Sequence, residues 1–175
     1  MNRRYFLGLA LSTMVAPAFA KNNNDKARFL SLKQLHTDER IRVAYRIGDN
    51  YQRDALDKLN LFLRDHRTNQ TTYMDPKLLD LLYDLQNHIH GEECEIEVFS
   101  AYRSPSSNAT LRKTSRGVAR NSFHIIGQAI DVTFEGCSNA CLRESAIALS
   151  RGGVGSYGRS GFVHLDTGPV RVWRA

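Results

Sequence analysis

The stretch NSFHIIGQAIDV spans residues 121–132, and its pattern is the main guide to the fold. A polar and basic segment, residues 108–120, leads into this stretch, and we expect His124 to lie in the loop before the next strand. From Gln128 to Phe134 apolar residues dominate, which predicts a buried strand that carries Asp131. A histidine and an aspartate held where a loop becomes a strand are candidate ligands for a metal ion, because imidazole and carboxylate groups both bind zinc.

A third candidate ligand lies near the end of the chain, in GGVGSYGRSGFVHLDTG (residues 152–168). This segment predicts two short strands joined by a glycine-rich turn. Alternation along the second strand puts His164 and Asp166 on one face. If the strands that carry Asp131 and His164 are neighbours, about 4.8 Å apart, their side chains converge and His124 completes the set from its loop. Residue types and spacing leave a second interpretation open, in which the three side chains are hydrogen-bonded core or turn residues.

The remaining pattern predicts one α+β domain, with N-terminal helices packed on an antiparallel sheet that follows them. The expected elements are a hairpin (29–35 and 40–47), two amphipathic helices (52–65 and from Pro76 onwards), a strand (95–99), a short helix or loop (108–120) and a helix (139–150). No internal repeat or linker divides the chain.

The first twenty residues have the features of a cleavable export signal. A basic start with Arg3 and Arg4 precedes an apolar run over residues 5–16 that is shorter than the roughly 20 residues of a bilayer crossing. The arginine pair resembles a twin-arginine signal, and an ordinary secretory signal is the alternative. We therefore expect a signal at 1–20, a polar leader at 21–28, a domain at 29–175 without a membrane-spanning segment, and a periplasmic location.

Composition limits the partners and the redox state. Without the signal, the chain has 155 residues with 22 basic and 18 acidic side chains, which is enough for one domain. The basic residues are scattered and match no nucleic-acid-binding motif, so we expect no nucleic-acid partner. Three cysteines, Cys94, Cys137 and Cys141, favour one disulfide and one spare thiol in an oxidising compartment, with the pairing open.

A family resemblance makes these expectations specific. SFHIIGQAIDV matches the S-x-H-x-x-G-x-A-x-D signature of the zinc D-Ala-D-Ala peptidases, the clan that includes hedgehog-like domains. LSLKQLHT, LNLFLRDHR, SAYRS and GGVGSYGRSGFVHLDTGP extend the resemblance to the murein endopeptidase K family over nearly the whole chain. It implies a hedgehog/D-Ala-D-Ala-peptidase-like fold and one Zn2+ per chain, bound by His124, Asp131 and His164. The implied reaction is hydrolysis of peptidoglycan cross-links between stem peptides, either D-Ala to meso-diaminopimelate or diaminopimelate to diaminopimelate.

The resemblance also assigns roles around the metal. Arg103 of SAYRS matches an arginine that faces the scissile carbonyl, and a fixed guanidinium can stabilise an oxyanion. Tyr102 and Ser122 are candidate substrate-binding residues. Many relatives carry a glutamate base three residues before the last histidine, or a second histidine two residues before it. Those positions are Gly161 and Phe162 here, so Asp166 is the candidate catalytic carboxylate, either as base or as a group that orients a ligand histidine.

Some alternatives stay open at this stage. A zinc-stabilised peptidoglycan-binding module without catalysis is compatible with the missing glutamate. A set of basic residues could bind stem-peptide carboxylates or simply keep the surface soluble: Arg112, Lys113, Arg116 and Arg120. The sequence contains neither the G-x-S-x-G elbow of a serine hydrolase nor the CxxC motif of a thiol oxidoreductase, which argues against both classes. Oligomeric state is not predicted.

Overall fold

The computed structural model describes residues 26–115, 117–158 and 160–174. The predicted signal at 1–20, most of the leader and Arg116 lie outside the described residues. The strands are β1 (Ala27–Gln34), β2 (Arg40–Ile47), β3 (Asn50–Tyr51), β4 (Glu95–Ser100), β5 (Ala129–Phe134), β6 (Gly153–Tyr157), β7 (Phe162–Asp166) and β8 (Arg171–Arg174). The helices are α1 (Arg53–Phe62), α2 (Pro76–His90), α3 (Pro105–Thr114) and α4 (Asn139–Leu149), with a 3₁₀ helix at Phe123–Ile126.

All eight described strands form one sheet in the order β3-β2-β1-β4-β5-β7-β6-β8. Most neighbours are antiparallel, and the pairs β1–β4 and β6–β8 are parallel. A parallel pair requires a crossover, and α1 and α2 supply it between β1 and β4. The predicted α+β class is therefore confirmed, and the sheet, which was predicted to be antiparallel, is mostly so.

The prediction that helices lead and the sheet follows is wrong. The N-terminal hairpin β1–β2 belongs to the same sheet as the C-terminal strands, because β1 pairs with β4. The strand β1 also begins at Ala27, inside the segment expected to be a polar leader. Two strands, β3 and β8, were not predicted, because they are short edge strands with little apolar alternation.

The core lies between the sheet and the helices. Alternate residues of the central strands, such as Ile130 and Leu165, are fully buried against leucines of α2 and α4. Because strand side chains alternate, the residues between them point to the opposite face, where the 3₁₀ helix and the loops lie. Asp75 caps α2 by accepting from Lys77 N, and it also accepts from Thr167 Oγ1 after β7 (2.8 Å).

Neither a membrane-spanning helix nor a disulfide is present in the described residues. Among the described helices, none combines the length and the apolar character needed to cross a bilayer. Cys94, Cys137 and Cys141 are free thiols, so the expected disulfide is not formed.

Candidate metal centre

His124, Asp131 and His164 meet at the floor of a cleft. Nε2 of His124 lies 3.2 Å from Nδ1 of His164 and 3.3 Å from Oδ1 of Asp131. Nδ1 of His164 lies 2.8 Å from the same Asp131 oxygen. All three side chains are buried, and theirs is the one His/Cys/Asp/Glu cluster in the described residues with geometry suited to a metal ion. The predicted convergence of these residues is therefore present.

One row of residues across the sheet builds this floor. Ser100 lies opposite Asp131, Asp131 opposite His164, His164 opposite Gly155, and Gly155 opposite Trp173. Neighbouring residues in register point to the same face, so the row fixes the Asp–His contact without help from loops. Gly155 leaves space for the Trp173 ring, since a Cβ atom there would lie 2.4 Å from it.

His124 reaches the row from the 3₁₀ helix. Ser122 begins this helix and its Oγ accepts from His124 N (3.3 Å). Gly127 ends it with φ +71°, and a Cβ atom there would lie 2.3 Å from the carbonyl oxygen of Tyr73. The glycine of the sequence signature is thus required for both the turn and the close approach of another backbone segment.

Hydrogen bonds fix which nitrogen of each imidazole faces the cluster. Nδ1 of His124 donates to the carbonyl oxygen of Ala101 (2.6 Å), so its Nε2 lone pair points to the cluster. Nε2 of His164 donates to Oδ2 of Asp166 (3.1 Å), so its Nδ1 points there instead. Such outer partners set the tautomer and the ring orientation of metal-binding histidines.

Asp166 lies behind His164 rather than in the cleft. Its side chain is fully buried, and Oδ1 accepts from the backbone N–H groups of Gly153 (3.1 Å) and Gly168 (2.9 Å). Arg171 donates to both carboxylate oxygens, at 3.0 and 2.6 Å. A carboxylate that accepts all these bonds and contacts the far side of the imidazole is suited to orienting His164, and this geometry disfavours the alternative role as a base.

Arg103 lies on the other side of Asp131. Its guanidinium is 3.5 Å from Asp131 Oδ2, and its backbone N–H donates to the carbonyl oxygen of His124 (3.1 Å). The side chain is mostly buried and its Nε has no hydrogen-bond partner among the described residues. Burial lowers the pKa of Arg103, and the Asp131 carboxylate opposes that effect. Arg103 therefore presents a cation to the cleft with bonding capacity to spare.

The ionisation of the cluster is coupled. Burial lowers the pKa of His124, which favours its neutral form. Burial also lowers the pKa of His164, but hydrogen bonds to Asp131 and Asp166 outweigh it and raise that pKa to about 9. For Asp131, burial raises the pKa and the two imidazoles more than offset it, so that pKa lies below its usual range. Without an ion, the site thus holds a proton between His164 and Asp131.

The cleft above the row has a volume of about 400 Å³. The cleft has an aromatic wall that was not predicted, which consists of Phe123, Tyr157, Phe162 and Trp173. The Trp173 ring packs 5.2 Å from that of His164, and its Nε1 donates to the hydroxyl of Tyr157 (3.3 Å). Phe123 lies in the 3₁₀ helix and the other three residues lie on β6, β7 and β8, so no local sequence pattern marks this wall and the strand register is needed to find it.

Several expected residues lie elsewhere. Tyr102 does not line the cleft and packs against the hydrophobic core instead, and its backbone N–H donates to the carbonyl oxygen of Leu63, the residue that follows α1. Ser122 does line the cleft, although its hydroxyl also caps the 3₁₀ helix. Three members of the basic set are exposed and do not line the cleft: Arg112, Lys113 and Arg120.

Comparisons with known proteins identify the family of this chain. The family model described as "Peptidoglycan L,D-endopeptidase MepK" matches residues 22–173. The chain is 44% identical to the peptidoglycan L,D-endopeptidase MepK of Escherichia coli K12, over 98% of this chain and 97% of the relative. It is 40% identical to the probable peptidoglycan L,D-endopeptidase MepK of Haemophilus influenzae, over 99% and 96% of the two chains. No solved structure matches the chain significantly. The chain therefore belongs to the peptidoglycan L,D-endopeptidase MepK family.

Proposed function

We propose that this protein is a zinc-dependent endopeptidase that hydrolyses peptide cross-links of peptidoglycan. The observation that carries the proposal is the convergence of His124 Nε2, Asp131 Oδ1 and His164 Nδ1 beside the Arg103 guanidinium, on the floor of an open cleft. Three protein ligands with room for solvent are typical of catalytic rather than structural zinc sites. We also propose that the fold is of the hedgehog/D-Ala-D-Ala-peptidase type, since the ligands occupy the positions of that signature.

The spacing of the donor atoms fits a zinc ion. Two ligand atoms each roughly 2.1 Å from a tetrahedral ion lie about 3.4 Å apart. The three distances here are 2.8, 3.2 and 3.3 Å, so a shift of a few tenths of an ångström suffices. Nε2 of His124 already presents a lone pair to the centre, and zinc binding displaces the proton that Nδ1 of His164 shares with Asp131.

Different residues of the chain have different roles in the proposed hydrolysis. When bound, zinc supplies Lewis-acid activation of a water molecule and of the peptide carbonyl. Arg103 faces the place where the carbonyl oxygen gains negative charge, and its buried guanidinium stabilises that charge without reorganisation. Asp166 holds the His164 ring in position through Nε2. Among the described residues that line the cleft, Asp131 is the one carboxylate. No other acidic side chain of that lining therefore takes the place of the glutamate or histidine that relatives carry at the positions of Gly161 and Phe162.

The name shared by the relatives suggests which bond is cut. An L,D-endopeptidase hydrolyses a bond from an L centre to a D centre. The diaminopimelate–diaminopimelate link joins an L-centre carboxyl to a D-centre amine, whereas the D-Ala–diaminopimelate link joins two D centres. We therefore expect the first link to be the preferred substrate. Because peptidoglycan lies outside the cytoplasmic membrane, we propose that residues 1–20 direct the protein to the periplasm, by the twin-arginine route if both Arg3 and Arg4 are needed.

The decisive experiment incubates the purified mature protein with muropeptide dimers of each link type. We expect conversion of diaminopimelate-linked dimers to monomers, loss of this activity with a chelator and its return with Zn2+. His124→Ala should be inactive, while His88→Ala, which changes an exposed histidine of α2, should retain activity. Dimers that bind but stay intact under all these conditions would instead identify a non-catalytic binding module.

A further inference from the structure

A second cavity of about 430 Å³ lies beside the metal-centre cleft, around the end of the β6–β7 hairpin. Tyr157 and Phe162 are register partners at that end, and both line both cavities. Their rings stack with centroids 4.9 Å apart. The far wall of the second cavity is the first part of α4 together with Arg174 of β8. The two cavities therefore share one aromatic wall.

The second cavity carries more positive than negative charge. Arg143 is half-buried, and its Nε is buried without a hydrogen-bond partner among the described residues. Arg174 is exposed at the opposite side. Glu144 is the one acidic residue of the described lining and is exposed at the rim. A buried guanidinium nitrogen without an acceptor is unfavourable, and a carboxylate ligand would satisfy it with two parallel hydrogen bonds.

The shape of the substrate explains why such a cavity would adjoin the first. A cross-linked diaminopimelate residue is a branch point, so the chains of a dimer leave the metal centre in more than one direction. An extended peptide covers about 3.3–3.6 Å per residue, and two or three residues are enough to pass the shared ring pair. Stem peptides carry free carboxylates, on diaminopimelate and on glutamate, within that reach.

We propose that the second cavity is an anion subsite in which Arg143 and Arg174 bind a free stem-peptide carboxylate while the cross-link lies at the metal centre. This inference rests on the proposed function for the identity of the ligand. The subsite contributes to substrate binding and does not touch the reacting atoms. Its role is to select cross-links whose neighbouring carboxylate is free rather than amidated.

The test measures binding separately from hydrolysis. Trp173 is the one tryptophan of the chain and donates to Tyr157 of the shared wall, so its fluorescence reports occupancy. Chelator-treated mature protein is titrated with three dimers: unmodified, amidated on diaminopimelate and amidated on glutamate. We expect one of the two amidations to weaken binding to the wild-type protein about tenfold, as loss of a charge-assisted hydrogen bond does. The amidated dimer that binds more weakly identifies which carboxylate occupies the subsite.

Arginine variants complete the test. Arg143→Gln with Arg174→Gln should weaken binding of the unmodified dimer about tenfold and abolish the penalty for amidation. Arg174→Gln alone, at an exposed position, should show part of this loss with an unchanged unfolding temperature. Arg53→Gln removes the same single charge as Arg174→Gln from an exposed position of α1, and it should bind the dimers like the wild type.

Two results would overturn the subsite: an amidation penalty that persists in the double variant, or a double variant that binds all three dimers as the wild type does. If the wild-type protein shows the expected binding pattern but leaves every dimer intact in the presence of Zn2+, the proposed hydrolysis fails and the subsite stands.

Discussion

Asp166→Asn separates the two roles that the sequence left open for this carboxylate. The side chain is fully buried, and its Oδ2 accepts from Nε2 of His164 and from Arg171. Asparagine keeps the shape, but one of its two terminal atoms becomes a donor that cannot accept these bonds. Loss of such an outer partner typically lowers metal affinity 10- to 100-fold, which is about 1.4–2.7 kcal/mol.

The variant should also be less stable without metal. Removing one member of a buried ion pair costs about 3–5 kcal/mol, and we expect about 1–3 kcal/mol here because the Arg171 side chain is 39% exposed and can regain water. The backbone N–H groups of Gly153 and Gly168 donate to Oδ1, which stays an acceptor in asparagine, so the loss comes from the bonds of His164 and Arg171 to Oδ2. Urea unfolding of chelator-treated protein measures this quantity.

Zinc affinity is measured by competition with a chromophoric chelator. If Asp166 orients His164, the variant binds zinc at least tenfold more weakly than the wild type; if it is the base, only kcat falls. An affinity within twofold of the wild type would refute the orienting role. Asp84→Asn is the matched control, because Asp84 is a partly exposed carboxylate that pairs with Arg28 and Arg151 and does not line the cleft.

Three further predictions concern other parts of the site and the fold. Gly127→Ala should lower the free energy of unfolding by at least about 2 kcal/mol more than Gly91→Ala does. Both residues have φ near +70°, but only at Gly127 would the added Cβ atom meet a backbone oxygen. Equal losses of stability in urea unfolding would contradict this. Burial, with the charges of Arg67 and His36, lowers the pKa of His66 to about 4, so its neutral form stabilises the fold fully above about pH 6.5 and this stability is lost as pH falls towards 4. The thermal midpoint of the wild type should therefore fall more steeply between pH 7 and 5 than that of His66→Gln, and parallel curves would oppose the assignment. Arg103→Gln should lower kcat about 100-fold with zinc affinity nearly unchanged, and a variant that loses zinc instead would make Arg103 a structural partner of the carboxylate.

Local signals predicted most elements of the fold. The hairpin over residues 29–35 and 40–47, the helix that begins at Pro76 and the strand that carries Asp131 are all present, because alternation, capping and helical periodicity are properties of neighbouring residues. The joining of the hairpin to the C-terminal strands was not predicted. It depends on the parallel pairing of β1 with β4 across two helices, and no local pattern encodes that contact.

The candidate metal site shows the same division. His124, Asp131 and His164 were found from their motif and from strand alternation, and the structure brings them together. The aromatic wall and the place of Trp173 over Gly155 were missed, because they follow from the pairing of β6 with β8, a short edge strand with no clear periodicity. Tyr102 was expected to bind substrate, but its side chain packs against the hydrophobic core while that of its neighbour Arg103 lies beside Asp131 in the cleft.

The metal content of the purified mature protein decides whether His124, Asp131 and His164 hold zinc. This site predicts one zinc per chain in the wild type and in His88→Ala, and less than a tenth of that amount in a folded His124→Ala variant. A wild-type protein that takes up no zinc, or a His124→Ala variant that keeps one zinc per chain, would contradict it.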